Sequence, residues 1–494
     1  GNHAGLSYLI PTVSDLLVSG MRAGPCAALI WLAALLQSGC VSALRHKQPK
    51  QDGDEDIQQR LLRSATFKPH ARGATPYANV SRALSCLRQT TPGLELAYPK
   101  DAEEHMEEIR LAMEKFQPLR IYGDRNRSSK THDLHAEHIW MLTYEFWQKL
   151  KRDGAVLSDV FGPYIPIFTH WVEPWFDPRG PMKTKGRFWY PDHFISTLRS
   201  VLRKDVPYIA MSQNDEGLPG KDWDHFSMSE YPNMLVLSSG GYGHVPTPLW
   251  SRIPLSYEDF FRVPKGPRPA RTYFMSYVGS MEHAPDGMRA RMKEAIERFA
   301  AGRNLTVSES PAEETIADLA AYARSAGNES AWELLEPVQP RVQSSTASNK
   351  IVFFYNKSRL VRRTWQEIML TSRFSLAPRG FGRTSYHMAE TMLVGGIPIH
   401  VYTDMPWIPY QKVYERFGFY TDVAGLPALM DRLRSMPEEE FHAREEIARS
   451  VAQSHWMEAG LTEQLFRFML GHDLFTGEAT DGDLICGRLP ATKT

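Results

Sequence analysis

Two arginines with glycines between them open the region richest in chemistry: residues 372–410 read SRFSLAPRGFGRTSYHMAETMLVGGIPIHVYTDMPWIPY. The pattern predicts a strand ending at 374–377, a turn over 378–382, a helix over 384–393 and a second strand over 397–402. At such a helix start the backbone N–H groups and the positive end of the dipole favour an anion. Gly380 and Gly382 would let a phosphate approach, Arg379 and Arg383 would neutralise it, and Thr384 and Ser385 stand at the helix entrance. Glu390 follows Thr384 by six residues, roughly 9 Å along a helix. That is a fair reach from a pyrophosphate to a ribose, where a carboxylate could hold two sugar hydroxyls. The competing reading is an ordinary tight turn whose arginines are solvated or paired with surface carboxylates.

Elements that could position this turn recur along the chain. Met106, Ile109, Met113 and Phe116 repeat at helical spacing, as do Ile139, Leu142, Phe146 and Leu150 within a helix expected over 133–150. Strands are expected at 119–123, 164–168, 207–212, 234–237, 273–278 and 351–355, with helices over 286–299, near 312–325 and over 360–370. Strands alternating with helices in both halves predict an α/β fold of two doubly wound, Rossmann-like domains facing across a cleft. The proline, glycine and arginine run VPKGPRPAR at 263–271 marks the boundary. The expected division is 1–44 targeting segment, 45–95 stem, 96–265 first domain, 266–475 second domain and 476–494 tail. A chain of 494 residues with 42% hydrophobic content supports that many folded parts.

Charge is balanced, 57 basic against 57 acidic residues, so no global basic field exists to hold nucleic acid. The one long apolar stretch, 25–44, is flanked by Arg22 and by Arg45, His46 and Lys47. It reads as a signal anchor that leaves the remainder lumenal, or as a signal cleaved after Ala43 with translation starting at Met21. Asn79, Asn126, Asn304, Asn328 and Asn356 each begin an N-x-S/T sequon, five of nine asparagines, which agrees with a secretory compartment. Cys26 and Cys40 fall in the apolar stretch, leaving Cys86 and Cys486 to form a disulfide between the start of the folded region and the tail, or to remain two buried thiols. Metal-ligand spacing is weak: His132, His135 and His138 spread around a helix, and D-x-D occurs only at 52–56, 222–224 and 481–483, none directly after an apolar strand.

The 372–398 segment resembles the C-terminal signature of the exostosin-like glycosyltransferases, a strand and turn of the form S-K/R-F-C-L-x-P-x-G followed by a Ser/Thr-rich helix start, a downstream acid and G-C-I-P-V. Ser372, Arg373, Phe374, Leu376, Pro378, Gly380, Ser385, Glu390, Gly395, Ile397 and Pro398 fall on that pattern, while Ser375 and Gly396 stand where the family has cysteines. The resemblance extends over about 117–425: QNDEG at 213–217 and NMLVLSSGGYGHVPTPL look like first-domain elements, and YFMSYVGS with Arg289 and Arg291 looks like the start of the second. The family's G-R-D-H-F appears only loosely, at 191–194 or 222–226. The resemblance implies a GT-B fold and metal-independent, inverting transfer of a sugar from a nucleotide sugar, a UDP-sugar, to a glycan or glycoprotein acceptor in the Golgi, with no cofactor required. Arg379 and Arg383 would then carry the charge of the departing diphosphate, with Arg289 or Lys357 contributing from neighbouring loops. The acceptor's base would come from the first domain: Asp215 first, with Glu216 and His244 in reserve. A catalytically inactive lumenal partner or carbohydrate-binding subunit of the same fold is the alternative, and assembly with itself or a second subunit stays open. Trp171, Trp175, Trp189 and Trp223 suit sugar faces chemically but fit a core as well.

Overall fold

The computed structural model describes residues 93–116, 138–172, 190, 193–214, 217–218, 230–249, 271–309, 349–355 and 368–469. In chain order the first half contributes helices α1 (Ala102–Glu114), α2 (His138–Arg152), α3 (Leu157–Phe161) and α4 (Phe194–Val201), with strands β1 (Ile165–Pro166), β2 (Tyr208–Ser212), β3 (Met234–Ser238) and β4 (Val245–Pro246). The second half contributes β5 (Tyr273–Val278), α5 (Met288–Ala300), β6 (Thr306–Ser308), β7 (Lys350–Phe354), β8 (Ser372–Pro378), α6 (Tyr386–Leu393), β9 (Ile397–Tyr402), α7 (Gln411–Tyr414), β10 (Phe419–Asp422), α8 (Leu426–Arg434), α9 (Glu438–Val451) and α10 (Glu458–Met469).

These strands form two wholly parallel sheets, the expected mixed α/β architecture. The first has the order β1-β2-β3-β4 and the second β10-β9-β8-β5-β7-β6. Parallel strands covered on both faces read as continuous apolar runs rather than alternating ones. YIAMS, MLVLS and YFMSYV are buried at every position, and SRFSLAP is too, because its polar members find partners. On one face of the larger sheet Met288, Met292, Ile296 and Phe299 of α5 and Leu426, Met430 and Leu433 of α8 pack on Phe353, Phe374, Ile397 and Ile399. Ile368, Met369 and Val394 pack with Tyr273 and Val352 in a separate cluster. Strand order turns at β5, whose next elements β6 and β7 lie to one side while β8, β9 and β10 lie to the other. The gap between the ends of β5 and β8 is therefore the topological switch point of this sheet, where open α/β sheets bind ligands.

The last of the described helices, α10, returns to the first half: Phe466 meets Phe146 of α2 at 5.1 Å and Phe161 of α3 at 6.2 Å between ring centroids. Cys86 and Cys486, the strand expected at 119–123, the 263–270 part of the linker and the helix near 312–325 lie outside the described residues, as do Asn79, Asn126, Asn328 and Asn356. Asn304 is described and stands exposed in the turn between α5 and β6. Trp171 is a core residue, fully buried against Tyr190 and Phe194; Trp175, Trp189 and Trp223 lie outside the described residues.

The expected single-pass Golgi membrane location is corrected. Among the described residues no helix is long and apolar enough to cross a membrane. The longest of them, α2, has 15 residues, about 23 Å of helix against a hydrocarbon core of about 30 Å. The apolar stretch 25–44 lies outside the described residues.

Candidate functional site

The switch point gathers the charged residues. β8 ends at Pro378, and the parallel register pairs Pro378 with Val401, so the residues just past β8 and just past β9 emerge side by side. Arg379 continues the ladder by donating its N–H to Val401 O at 2.9 Å. Its guanidinium turns back over the 379–383 turn, donating from Nε to Gly382 O (3.1 Å), from Nη2 to Phe381 O (3.0 Å), and from Nη1 to Thr403 Oγ1 (2.8 Å) and Asp404 Oδ1 (2.9 Å). Every nitrogen of this side chain thus has a protein acceptor.

Arg383 takes the other oxygen of the same carboxylate, with Nε at 2.8 Å and Nη2 at 2.7 Å from Asp404 Oδ2. Its third nitrogen, Nη1, is buried without a hydrogen-bond partner. From the first sheet, the loop between β3 and β4 closes on this arginine. Arg383 N donates to Gly240 O at 2.7 Å, and its guanidinium lies 4.3 Å from the Tyr242 ring centroid. Gly241 has φ +98°, and a Cβ there would sit 2.9 Å from Arg383 Cδ; only glycine admits so close an approach in that conformation. Trp407 adds a second tie by donating to Ser238 O at 2.9 Å.

Arg289, near the start of α5, completes the cluster from the β5 side. It donates from Nε and Nη2 to Arg379 O (3.2 and 3.0 Å) and from Nη1 to Ser280 O (2.6 Å). Three buried guanidinium groups therefore share the ends of β5, β8 and β9. Burial works to raise the Asp404 carboxyl, but hydrogen bonding to Arg383 and the charges of Arg383 and Arg379 outweigh it and hold it below its ordinary value. It stays ionised, and one carboxylate answers two of the cations.

α6 begins at this same turn. Ser385 caps it by accepting the His387 N–H at 3.3 Å, and Gly380 N donates to Thr384 O at 2.9 Å, closing the turn. The N–H groups of Arg379, Gly380 and Arg383 are consequently taken, which narrows the backbone donors expected to face an anion. Glu390 is not isolated on α6 either: its Oε2 lies 2.5 Å from His387 Nδ1. His387 packs edge-on to Tyr277, and a Cβ on Gly279 would stand 2.6 Å from its Nε2, so this ring needs a glycine at the end of β5.

Asp215, Glu216 and Lys357 lie outside the described residues. His244 is described and is poorly suited to the reserve role of base. Its Nδ1 lone pair accepts the Val236 N–H at 3.0 Å, so the neutral ring carries its proton on Nε2 and has no lone pair left to take another. Burial lowers its pKa to about 4. Among the described residues no three His, Cys, Asp or Glu side chains converge as a metal would require; all the D-x-D sequences lie outside them.

Asp404, Thr403, Tyr242 and His387 escaped the sequence reading. For Asp404 and Thr403 a cue was available: residues just past neighbouring parallel strands must meet, and YTDMPW follows β9 as RGFGR follows β8. Nothing local marks Tyr242, whose role comes from a contact between sheets.

No family model matches the chain, and no curated protein matches it; membership of the exostosin-like family is therefore not shown. Among solved structures, the crystal structure of TarM aligns at 11% identity and TM-score 0.27, over 57% of this chain. This chain spans 59% of TarM's length. An alpha-glucosyltransferase in complex with UDP and a 13-mer DNA containing an HMU base aligns at 12% identity and TM-score 0.29, over 57% of this chain and 77% of its own. Overlaps that loose carry no argument, and the architecture stands on the strand order above.

Proposed function

We propose that the chain is a glycosyltransferase of the exostosin-like, GT-B type, drawing its sugar from a nucleotide sugar, a UDP-sugar by the resemblance, and passing it to a glycan or glycoprotein hydroxyl. One observation carries the reading: three buried arginines, Arg289, Arg379 and Arg383, sit at the switch point of a parallel sheet and the start of α6, and a single carboxylate, Asp404, pairs with two of them. Preorganised positive charge at that position suits a diphosphate that gains charge as the sugar leaves, and can do so without a metal. In this reading the 266–475 part binds the donor, with Gly380, Gly382, Thr384 and Ser385 around the phosphates and Glu390 toward the ribose. The 96–265 part binds the acceptor and supplies the base, Asp215 or Glu216, for a single inverting displacement.

A second reading, an inactive partner or carbohydrate-binding subunit of the same fold, draws on a specific observation: the Arg379 guanidinium is already saturated by Gly382, Phe381, Thr403 and Asp404. Calorimetry on the full chain with a panel of nucleotide sugars separates the two. Selective binding of one donor, weakened at least about tenfold in Arg383→Ala and Glu390→Ala (about 1.4 kcal/mol or more), with transfer or slow hydrolysis of that donor, supports the transferase. Absence of donor binding by a folded wild-type chain sinks it.

A further inference from the structure

Asp404 is the outer partner of two inner cations. The side chains of Arg379 and Arg383 are each 3% exposed, whereas that of Asp404 is 43% exposed. Its two oxygens accept three hydrogen bonds from the arginines, and still the set is unsaturated. Two guanidinium charges face one carboxylate charge, and Arg383 Nη1 is buried with no acceptor. Arginine does not shed its charge, and a buried donor left unmet is rare in folded proteins. An anion that reaches past Asp404 or takes its place would supply both the missing acceptor and the missing charge. Asp404 is also the first residue of this cluster met from solvent, and it leaves the end of β9 on a segment, 403–406, that is exposed or half-buried.

We propose that Asp404 is an exchangeable counter-ion: it holds Arg379 and Arg383 in the free protein, and a diphosphate group displaces it. This deepens the donor reading and rests on it. To replace one carboxylate on two guanidinium groups, a ligand needs well-separated acceptor oxygens and at least two negative charges. A diphosphate meets both demands and can also supply the acceptor that Arg383 Nη1 lacks; a single orthophosphate spans less. Asp404 thereby selects nucleoside diphosphates over monophosphates, and its return to the arginines assists release of the diphosphate product. No bond is made or broken in the exchange.

The test titrates inorganic pyrophosphate, orthophosphate and UDP into the full chain and into Asp404→Asn, which keeps one acceptor oxygen and the side-chain shape but drops the charge. Removing a like charge beside the ligand should tighten pyrophosphate binding by about tenfold or more, with orthophosphate weaker than pyrophosphate in both proteins. In the wild type, amide exchange over 402–409 should quicken when pyrophosphate is added, since the segment loses its anchor. Equal or weaker pyrophosphate binding by Asp404→Asn, while wild type binds UDP, makes Asp404 a fixed clamp and overturns the proposal without touching the donor reading. Tighter binding with unchanged exchange over 402–409 means simple repulsion, and overturns the displacement. If neither protein binds UDP or pyrophosphate, both readings fall. Should Asp404→Asn not fold, the wild-type exchange measurement decides alone.

Discussion

Two buried histidines make the stability of this protein depend on pH. His244 accepts the Val236 N–H through Nδ1, whereas His400 must donate from Nδ1 to Ala377 O at 3.1 Å, leaving its Nε2 bare, buried and without a partner. Opposite tautomers are fixed by backbone groups, and neither ring has room for a charge. Burial lowers both pKa values to about 4, with the Arg379 charge adding to the effect at His400 while its bond to Ala377 opposes it. The unfolded chain binds these protons near the ordinary value of 6.5. Between those limits the unfolded state holds more protons, so stability is full above about pH 6.5 and is lost as pH falls toward about 4. Between pH 7 and pH 5 each histidine should remove about 2 kcal/mol. Urea unfolding at those two pH values measures it, and His400→Gln should roughly halve the pH dependence even if it lowers the overall stability. An unfolding free energy that does not change between pH 7 and pH 5 would refute the assignment. Asp404 acts lower on the scale: its folded pKa lies below 3.8, so its contribution is present above that value and disappears only under stronger acid.

At the level of elements, the two ends of the larger sheet do different work. The C-terminal ends carry the arginine cluster; the N-terminal ends are tied by Arg271. That side chain pairs with Glu445 of α9, donates to Leu370 O ahead of β8, and reaches Gly395 O ahead of β9 at 3.3 Å. With side-chain exposures of 9% and 5%, this is an interior ion pair. Such a pair adds little over an apolar substitute, but removing one partner strands the other charge. Glu445→Ala should therefore cost about 3–5 kcal/mol in urea unfolding while donor affinity in the folded fraction stays unchanged; a loss below about 1 kcal/mol would show that the pair is not carrying these connections. Most of these elements were legible from pattern alone. The strand expected over 397–402 matches β9, and 273–278 matches β5, because fully buried parallel strands are apolar runs with turn residues at both ends. Boundaries slipped where a cap or a strand pairing decides. The helix expected from 384 starts at Tyr386, since Ser385 is its N-cap, and β8, expected to end by Ala377, runs on to Pro378, which still pairs with Val401.

Across the whole molecule the site joins two sheets, and that was not written in any one segment. Arg379, Arg383 and Glu390 could be named from a glycine-rich turn and a helix period, but their partners come from β9's exit, from α6 itself and from the 239–244 loop of the other sheet. Tyr242 is the clearest case. It adopts φ +57°, a conformation that costs a non-glycine residue about 1–2 kcal/mol, and in return presents its ring to the Arg383 guanidinium at 4.3 Å. If that contact, with Arg383 N to Gly240 O and Trp407 Nε1 to Ser238 O, couples the sheets, truncating the ring should be felt on both sides. Tyr242→Ala keeps the strained backbone and loses the cation–π contact, worth about 1–2 kcal/mol when desolvated; Tyr242→Phe keeps both. Hydrogen exchange should accordingly rise over 236–246 and over 379–384 together in Tyr242→Ala, and remain at the wild-type level in Tyr242→Phe. Loosening confined to 236–246 would mean that Arg383 is held by Asp404 alone and that the two sheets meet here without depending on each other.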